Sequence, residues 1–189
     1  MNKKIIASFI VLLIFTSGSF AQSSKTSVID LILTSFSAKI FTTKQVTDSE
    51  INQIIKCGIK APSAKNGQPW KFTVVKDTNL SKKAIPDIVA GNVLIIISGQ
   101  ETKQQGANID FDCALATENM YVAAMGLGLG AHIYTGPVNN VNENLKKSFD
   151  IPGGYRVIAL LKVGNIDKTV DGTASATPRK DAKDIVNYK

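Results

Sequence analysis

The chain has 189 residues, of which 44% are hydrophobic, with a formal net charge of +7 and two cysteines. This length is enough for one domain with a buried core and too short for a second, and two cysteines exclude a disulfide framework. The basic balance suits an anionic ligand, but the lysines are scattered and no basic run with interleaved aromatic residues occurs, which argues against nucleic-acid binding.

The N-terminus has the composition of a signal peptide. Two lysines precede an apolar run over residues 5–15, and Ser19-Phe20-Ala21 then places small residues where a signal peptidase reads them. We therefore expect residues 1–21 to be removed, residues 22–189 to form a single domain, and the protein to be exported to a periplasm or secreted. The run is too short to span a bilayer, so no membrane anchor is expected. The alternative is an uncleaved N-terminal anchor helix.

Two amphipathic helices are predicted in the first part of the mature chain. Apolar residues recur at three- and four-residue spacing over residues 28–36, which marks one face of a helix. Thr47 opens an S/T-x-x-E capping box, and four isoleucines follow it at helical spacing. Pro62 disfavours helical geometry at the residue before it, so the second helix is expected to end at Lys60 or Ala61.

Three strands and a long central helix are predicted beyond this point. Residues 71–75 alternate polar and apolar side chains, residues 93–97 form the β-branched and leucine run of a central strand, and residues 155–163 form a third strand. Residues 106–129 carry so many small apolar side chains that more than one face of this helix must be buried. Short helices are expected between the first two strands, over residues 141–149 and near the C-terminus. This order predicts an α+β fold without the regular βαβ alternation of a doubly wound sheet.

The stretch between the second helix and the first strand, APSAKNGQPW over residues 61–70, is a poor helix and a poor strand. Its prolines fix backbone torsions, Gly67 permits unusual ones, and Ser63, Asn66 and Gln68 bring groups that donate and accept hydrogen bonds at short reach. A rigid loop with neutral polar groups suits recognition of a planar heterocycle. The alternative is an ordinary connection between a helix and a strand.

Several motifs in correct order resemble the nitroreductase family. APSAKNGQPW followed by KFTVV is similar to the family's APS-x-x-N-x-QPW loop and strand, and SAKIF over residues 37–41 occupies the place of its RRS-x-R/K-x-F segment. ATENMYVAAMGLGLGAHIYTG over residues 116–136 resembles the family's long central helix, Ile151-Pro152 and the strand ending in Gly164 resemble its "lgiP … lG" segment, and Pro178-Arg179-Lys180 resembles its basic C-terminal element. The resemblance implies a nitroreductase-like fold, with a small mixed or antiparallel sheet flanked by helices, in an intertwined homodimer.

The resemblance also implies FMN, held in a groove at the homodimer interface. One group of residues should meet the phosphate or ribityl chain, a second should line the flavin ring, and a third should lie beside its redox-active edge, where a backbone N–H reaches N5. The expected cofactor-binding residues are, in that order, Ser37, Lys39 and Arg179; Pro62, Ser63, Asn66 and Gln68; and Thr135 and Gly136. The phosphate favours ammonium and guanidinium donors, while the flavin itself carries the redox chemistry.

The implied activity is a ping-pong oxidoreductase cycle, in which a donor reduces the flavin and a small organic acceptor, nitroaromatic or quinone-like, then takes the electrons. Nicotinamide cofactors are chiefly intracellular and the chain has no nicotinamide fingerprint, so an exported protein leaves NAD(P)H open as the donor. The stretch over residues 75–91 is short for the family, and flavin remodelling or dehalogenation, as in other family members, is not separated from nitroreduction.

One departure from the family concerns the phosphate. Ser35 and Phe36 stand where the family usually has two arginines. Loss of a charged hydrogen bond typically costs about 1.5 to 3 kcal/mol, or roughly ten- to a hundredfold in affinity. Either FMN is held loosely or another lysine, Lys82 or Lys83, compensates. The departure also motivates the alternative function, a non-redox ligand-binding descendant of the same fold with weakened or lost FMN binding.

Three further features are interpreted as structural. Glycines at 126, 128 and 130 end a helix rather than follow a strand, so they do not form a dinucleotide-binding loop. His132 has no acid or nucleophile near it in sequence. Cys57 and Cys113 are expected to be small buried hydrophobic residues, and no His, Cys and carboxylate cluster has the spacing of a metal site.

Overall fold

The computed structural model describes residues 27–101, 108–171 and 178–189. The predicted signal peptide, residues 1–21, lies outside these ranges, so its removal stays a prediction. Within the part that is described, no helix combines the length and the apolar character needed to cross a membrane.

Both N-terminal helices begin at a capping box. In α1, Val28–Leu33, the Ser27 hydroxyl accepts the N–H of Asp30 while the Asp30 carboxylate accepts the N–H of Ser27. In α2, Asp48–Ile59, Thr47 and Glu50 form the reciprocal pair that the sequence predicts, and the helix ends where expected. α1 stops short of the predicted end at residue 36, because the chain turns away to make a sheet-like hydrogen bond at Ala38.

A four-stranded antiparallel sheet forms the centre of the molecule. Its strands are β1 Trp70–Val75, β2 Val93–Gln100, β3 Gly130–Tyr134 and β4 Tyr155–Gly164, in the order β1-β2-β4-β3. Three of them are the predicted strands. The sequence analysis missed β3, because its five residues begin with glycine, include a histidine and show neither a β-branched run nor clean alternation.

The remaining helices are shorter, apart from one. They are α3 Thr78–Lys82, α4 Ile109–Gly126, α5 Val138–Asn140 with a π-helical turn Val141–Leu145, and α6 Lys168–Asp171, followed by a 3₁₀ turn Ala182–Asp184. α4 is the predicted central helix, and it ends before residue 129 because Gly128, with φ +78°, turns the chain into β3. The single helix predicted over residues 141–149 is instead this short helix and π turn.

Two apolar clusters cover the two faces of the sheet. On one face, Ile95 and Leu161 pack with Ile54 of α2 and Met120 of α4. On the other face, the alternate strand residues pack with Ile85, Phe149 and their neighbours. Each fully buried Ile or Leu contributes about 1.5 to 3 kcal/mol. α4 is therefore a rigid element against which neighbouring loops can be positioned.

Candidate functional site

The loop over residues 61–69 has a strained backbone. Lys65, Asn66 and Gln68 have φ of 52°, 54° and 46°, in the left-handed region that L-residues other than asparagine rarely adopt. The Ser63 hydroxyl accepts the N–H of Gln68 at 3.0 Å and so closes the loop on itself. Strain of this kind is concentrated at ligand-binding and catalytic sites. The loop leaves Pro62, Asn66 and Gln68 exposed, as a ligand-binding role requires.

A buried carboxylate anchors this loop to α4. Asp112 is 3% exposed, and its Oδ1 accepts the backbone N–H of Ala64 at 3.1 Å. The bond crosses from the loop to the first turn of the central helix, so the loop is attached to an element that packs on the sheet. The sequence analysis did not select Asp112. The available signal was an acid among positions of α4 that the apolar pattern assigns to the core.

A second group of predicted residues lies beside the outer edge of β3. The N–H of Ala38 donates to Ala131 O at 3.0 Å, and Nδ1 of His132 lies 2.8 Å from Ala38 O. Ala38 is buried while Ser37 and Lys39 on either side of it are exposed. The pairing thus presents both predicted phosphate ligands on the surface, and it gives His132 a structural contact.

The same segment is fixed at its other end by a buried lysine. Nζ of Lys162, a residue of β4, lies 4.5 Å from the ring centroid of Phe41 and 5.4 Å from that of Tyr134, and it pairs with Asp87 at 2.9 Å. Cation–π contacts of a desolvated ammonium are among the stronger ones. Residues 37–41 are therefore held in place along their whole length.

Tyr121 lies near residues that are predicted to meet the FMN phosphate. It lies on α4 and is 7% exposed, and Ser37, Ser35 and the charge of Arg179 each influence the pKa of its phenol. Burial raises the pKa of the phenol above the ordinary value of 10.0, Glu118 acts in the same direction, and hydrogen bonding from Ser37 and the charge of Arg179 oppose the rise. The phenol is thus protonated at neutral pH. The sequence analysis missed Tyr121, because nothing local indicates that it lies near residue 37.

Thr135 and Gly136 follow directly after β3. Both are exposed, and a side-chain carbon added to Gly136 would meet no atom within 4 Å. The carbonyl of Thr135 accepts the N–H of Val138 at 3.2 Å, which fixes the turn into α5. Open space beside an ordered backbone is what the edge of a planar ring needs.

Comparison with known proteins identifies the family. The nitroreductase family matches residues 34–107 and 90–165, which is more than half of the chain. The chain belongs to the nitroreductase family. A relative from Archaeoglobus fulgidus, which carries the name NADH dehydrogenase/NAD(P)H nitroreductase, is 31% identical over 144 residues, 71% of this chain and 82% of the relative.

Solved nitroreductase structures share the fold of this chain. A Bacteroides fragilis nitroreductase with bound FMN aligns with a TM-score of 0.69 at 22% identity, over 86% of this chain and 98% of that chain. A Parabacteroides distasonis protein named for NADH dehydrogenase and NAD(P)H nitroreductase aligns with a TM-score of 0.73 at 21% identity, over 86% and 98% of the two chains. These confirm the α+β nitroreductase fold with its small antiparallel sheet.

The predicted nitroreductase site falls into two groups along α4. The loop over residues 61–69 is anchored at Asp112, and the residues predicted to meet the phosphate lie near Tyr121, nine residues further on, which is about 13 Å along the helix axis. Lys82 and Lys83, considered as substitutes for the missing arginines, lie at the end of α3 on the opposite face of the sheet. The structure therefore does not place these lysines near the residues predicted to meet the phosphate.

The donors available in each group fit FMN. Serine hydroxyls, Lys39 and Arg179 are hydrogen-bond donors of the kind that bind phosphate, and the loop offers amide and hydroxyl groups of the kind that a flavin ring accepts. No group of three or more His, Cys, Asp or Glu residues that could hold a metal is found within the described ranges.

The two cysteines differ, and one expectation was wrong. Cys113 is buried, and burial, aided by the charges of Asp112 and Asp110, raises the pKa of its thiol to about 12. Cys57 is exposed, because its position on α2 lies outside the stripe of that helix that packs on the core. A thiol role in catalysis is thus unsupported for Cys113.

Proposed function

We propose that this protein is an exported, FMN-dependent oxidoreductase of the nitroreductase type, which reduces small nitroaromatic or quinone-like acceptors in a ping-pong cycle. Enzyme class and cofactor follow from family membership, and the Bacteroides fragilis protein of the same fold carries FMN. The observation that carries the proposal is the APS-x-x-N-x-QPW loop, strained and tied to α4 through Asp112.

Each group of residues has a defined task toward FMN. Ser37, Lys39 and Arg179 would hold the phosphate, and the loop residues Pro62, Ser63, Asn66 and Gln68 would line the ring. Thr135 and Gly136 would border the edge at which electrons enter and leave. FMN supplies the electron transfer when it is bound, while the protein binds it, orients it and limits the access of water to it.

A second copy of the chain is expected to complete the site. α1 has only six residues and no buried residue, and Val28, Ile29 and Leu33 are 65%, 69% and 77% exposed. A helix this short is marginal in water by itself, and a contiguous apolar surface of this kind indicates a partner. A homodimer covers it and supports the placement of FMN in a groove between two protomers.

Two observations bear on the electron donor. Relatives named NAD(P)H nitroreductases support a nicotinamide donor. Export, which the N-terminal sequence predicts, favours another reductant, because nicotinamide cofactors are chiefly intracellular. We therefore propose a small-molecule acceptor, with NAD(P)H as one donor to be tested.

The second candidate function is a non-redox binding protein built on the same fold. It is motivated by Ser35 and Phe36 in place of the family's arginines. Steady oxidation of NAD(P)H or dithionite-reduced donor dyes by the FMN-loaded protein, with a nitroaromatic or quinone acceptor, would exclude this candidate.

The first test is flavin binding by the mature chain, residues 22–189. We expect a flavin spectrum in the purified protein, or saturable FMN uptake that falls about tenfold or more in Lys39→Ala and Arg179→Ala, since each loses a charged donor to phosphate. Lys147→Ala, which removes an exposed lysine on another part of the surface, is the matched control and should bind as the parent does. A pure mature protein that neither contains nor takes up FMN would contradict the proposal.

A further inference from the structure

A charged side chain lies within the most deeply buried part of the sheet. Residues 159–164 of β4 are all buried, and Lys162, at 1% exposure, is the one among them that carries a charge. Moving an ammonium out of water is costly, and replacing a buried ion pair by apolar side chains often leaves the stability of a protein unchanged or raises it. The role of Lys162 is therefore to be sought in what its ammonium contacts.

The Lys162 ammonium contacts two aromatic rings that belong to different parts of the proposed FMN site. Its Nζ lies 4.5 Å from the ring centroid of Phe41 and 5.4 Å from that of Tyr134, within the range of a cation–π interaction. Phe41 ends the segment over residues 37–41, which contains two of the predicted phosphate ligands. Tyr134 ends β3 and directly precedes residues 135–136, which are predicted to border the redox-active edge of the ring.

Two further contacts fix this arrangement. The Lys162 ammonium donates to Oδ2 of Asp87 at 2.9 Å, and the Asp87 side chain is itself 63% exposed, so the carboxylate keeps its contact with water. His132 lies opposite Lys162 in the register of β3 and β4. Its ring stacks on Tyr134 with centroids 4.3 Å apart, and its Nδ1 lies 2.8 Å from Ala38 O. Both side chains thus connect residues 37–41 to the end of β3.

We propose, resting on the proposed function, that Lys162 is a positioning residue for FMN: its ammonium holds Phe41 and Tyr134 together and so sets the spacing between residues 37–41 and residues 135–136. One ammonium attracts the faces of both rings, which an apolar side chain does not do. Without that attraction the two parts adopt other spacings in the flavin-free protein. The measured dissociation constant then rises in inverse proportion to the fraction of protein that is competent to bind.

The experiment is the variant Lys162→Met, which keeps the length of the side chain and removes its charge. FMN and riboflavin share the ring and the ribityl chain, and only FMN has the phosphate. We expect the dissociation constant of FMN to rise about tenfold and that of riboflavin about threefold, since riboflavin does not use the phosphate ligands. Both are measured by quenching of flavin fluorescence with mature protein stripped of flavin.

The melting temperature of the same flavin-free protein separates positioning from a purely structural role. In Lys162→Met it should equal that of the parent or exceed it, because the exposed Asp87 is not left buried without a partner. Lys147→Met, the same change at an exposed lysine, is the matched control and should alter neither the melting temperature nor the two dissociation constants.

Phe41→Leu tests the same contact from its other partner. This variant should weaken FMN binding about threefold to tenfold, as expected for the loss of one cation–π contact of a buried ammonium. Because Lys162 acts partly through this ring, Lys162→Met should weaken FMN binding by a smaller factor in the Phe41→Leu background than in the parent.

The outcomes separate the two proposals. Weaker flavin binding at an unchanged or higher melting temperature, together with the smaller effect in the Phe41→Leu background, supports the role of Lys162. An unchanged FMN dissociation constant, a lower melting temperature in Lys162→Met, or an equal effect in both backgrounds would overturn it and leave the proposed function in place. If the unsubstituted protein binds neither flavin, the proposed function fails and the inference fails with it.

Discussion

Asp112 holds the loop over residues 61–69, the proposed binding loop for the flavin ring, through one hydrogen bond. Its substitution should therefore affect binding of the ring rather than of the phosphate. Asp112→Ala removes the acceptor for the Ala64 N–H, so the strained loop loses its attachment to α4. We expect the dissociation constants of FMN and riboflavin to rise together, about tenfold, as a hydrogen bond to a charged acceptor is lost. Fluorescence titration with the two flavins measures this.

Asp112→Asn provides the control for that substitution. The amide keeps an oxygen that can accept the Ala64 N–H, so most of the affinity should return. If the asparagine variant binds as poorly as the alanine variant, the hydrogen bond is not what holds the loop. A change in FMN affinity alone would also contradict this role, because it would place Asp112 at the phosphate.

Sequence reasoning at the scale of single residues selects candidates where the information is contiguous. Ser63, Asn66 and Gln68 were selected from one ten-residue stretch whose composition is informative by itself. Asp112 was missed because its partner lies 48 residues away in the chain. Its role comes from the packing of α4, which no local pattern contains.

At the scale of elements, the close approach of residues 37–39 to β3 depends on Gly130. A β-carbon there would lie closer than 3 Å to side-chain atoms of Ile166 and Ala38. Gly130→Ala should therefore push residues 37–39 away from the strand, with a cost of about 1 to 3 kcal/mol from overpacking. Thermal unfolding should show a melting temperature lower by about 3 to 10 °C, accompanied by weaker FMN binding.

Gly153→Ala is the matched change for that experiment. A β-carbon at Gly153 meets nothing within 4 Å, so the melting temperature and FMN affinity should stay close to those of the parent. A Gly130→Ala variant with the melting temperature and FMN affinity of the parent would show that residues 37–39 do not need their close approach to β3.

Elements were predicted in proportion to the strength of their local signals. α2 has a capping box and a clear apolar stripe, and β2 has an unbroken β-branched run, so both were found with correct boundaries to within a few residues. β3 is held by its pairing with β4 and with Ala38 rather than by its own composition. The helix expected over residues 141–149 was replaced by a π turn, which hydrophobic spacing does not distinguish from a continuous helix.

At the scale of the whole molecule, the exposed face of α1 should hold two protomers together. Ile29→Asp combined with Leu33→Asp places two charges in the expected interface, so we expect light scattering to report a monomer where the parent is a dimer. FMN uptake should fall with the dimer, because the proposed FMN groove lies between two protomers. Val74→Asp, a change at another exposed apolar residue, should leave the molar mass measured by light scattering at that of the parent. A parent protein that is monomeric and binds FMN would contradict the shared groove.

The left-handed backbone of the loop over residues 61–69 links thermal stability to catalytic rate, so that a gain in one is expected to lower the other. Glycine would adopt the conformations of Lys65 and Gln68 without the steric cost, of order 1 kcal/mol each, that an ordinary side chain bears there. A laboratory selection for thermal tolerance alone is therefore expected to accept glycine at both positions. Each such gain would widen the range of shapes open to the loop in its apo form, so variants enriched for survival at high temperature should be slower catalysts than the parent at moderate temperature.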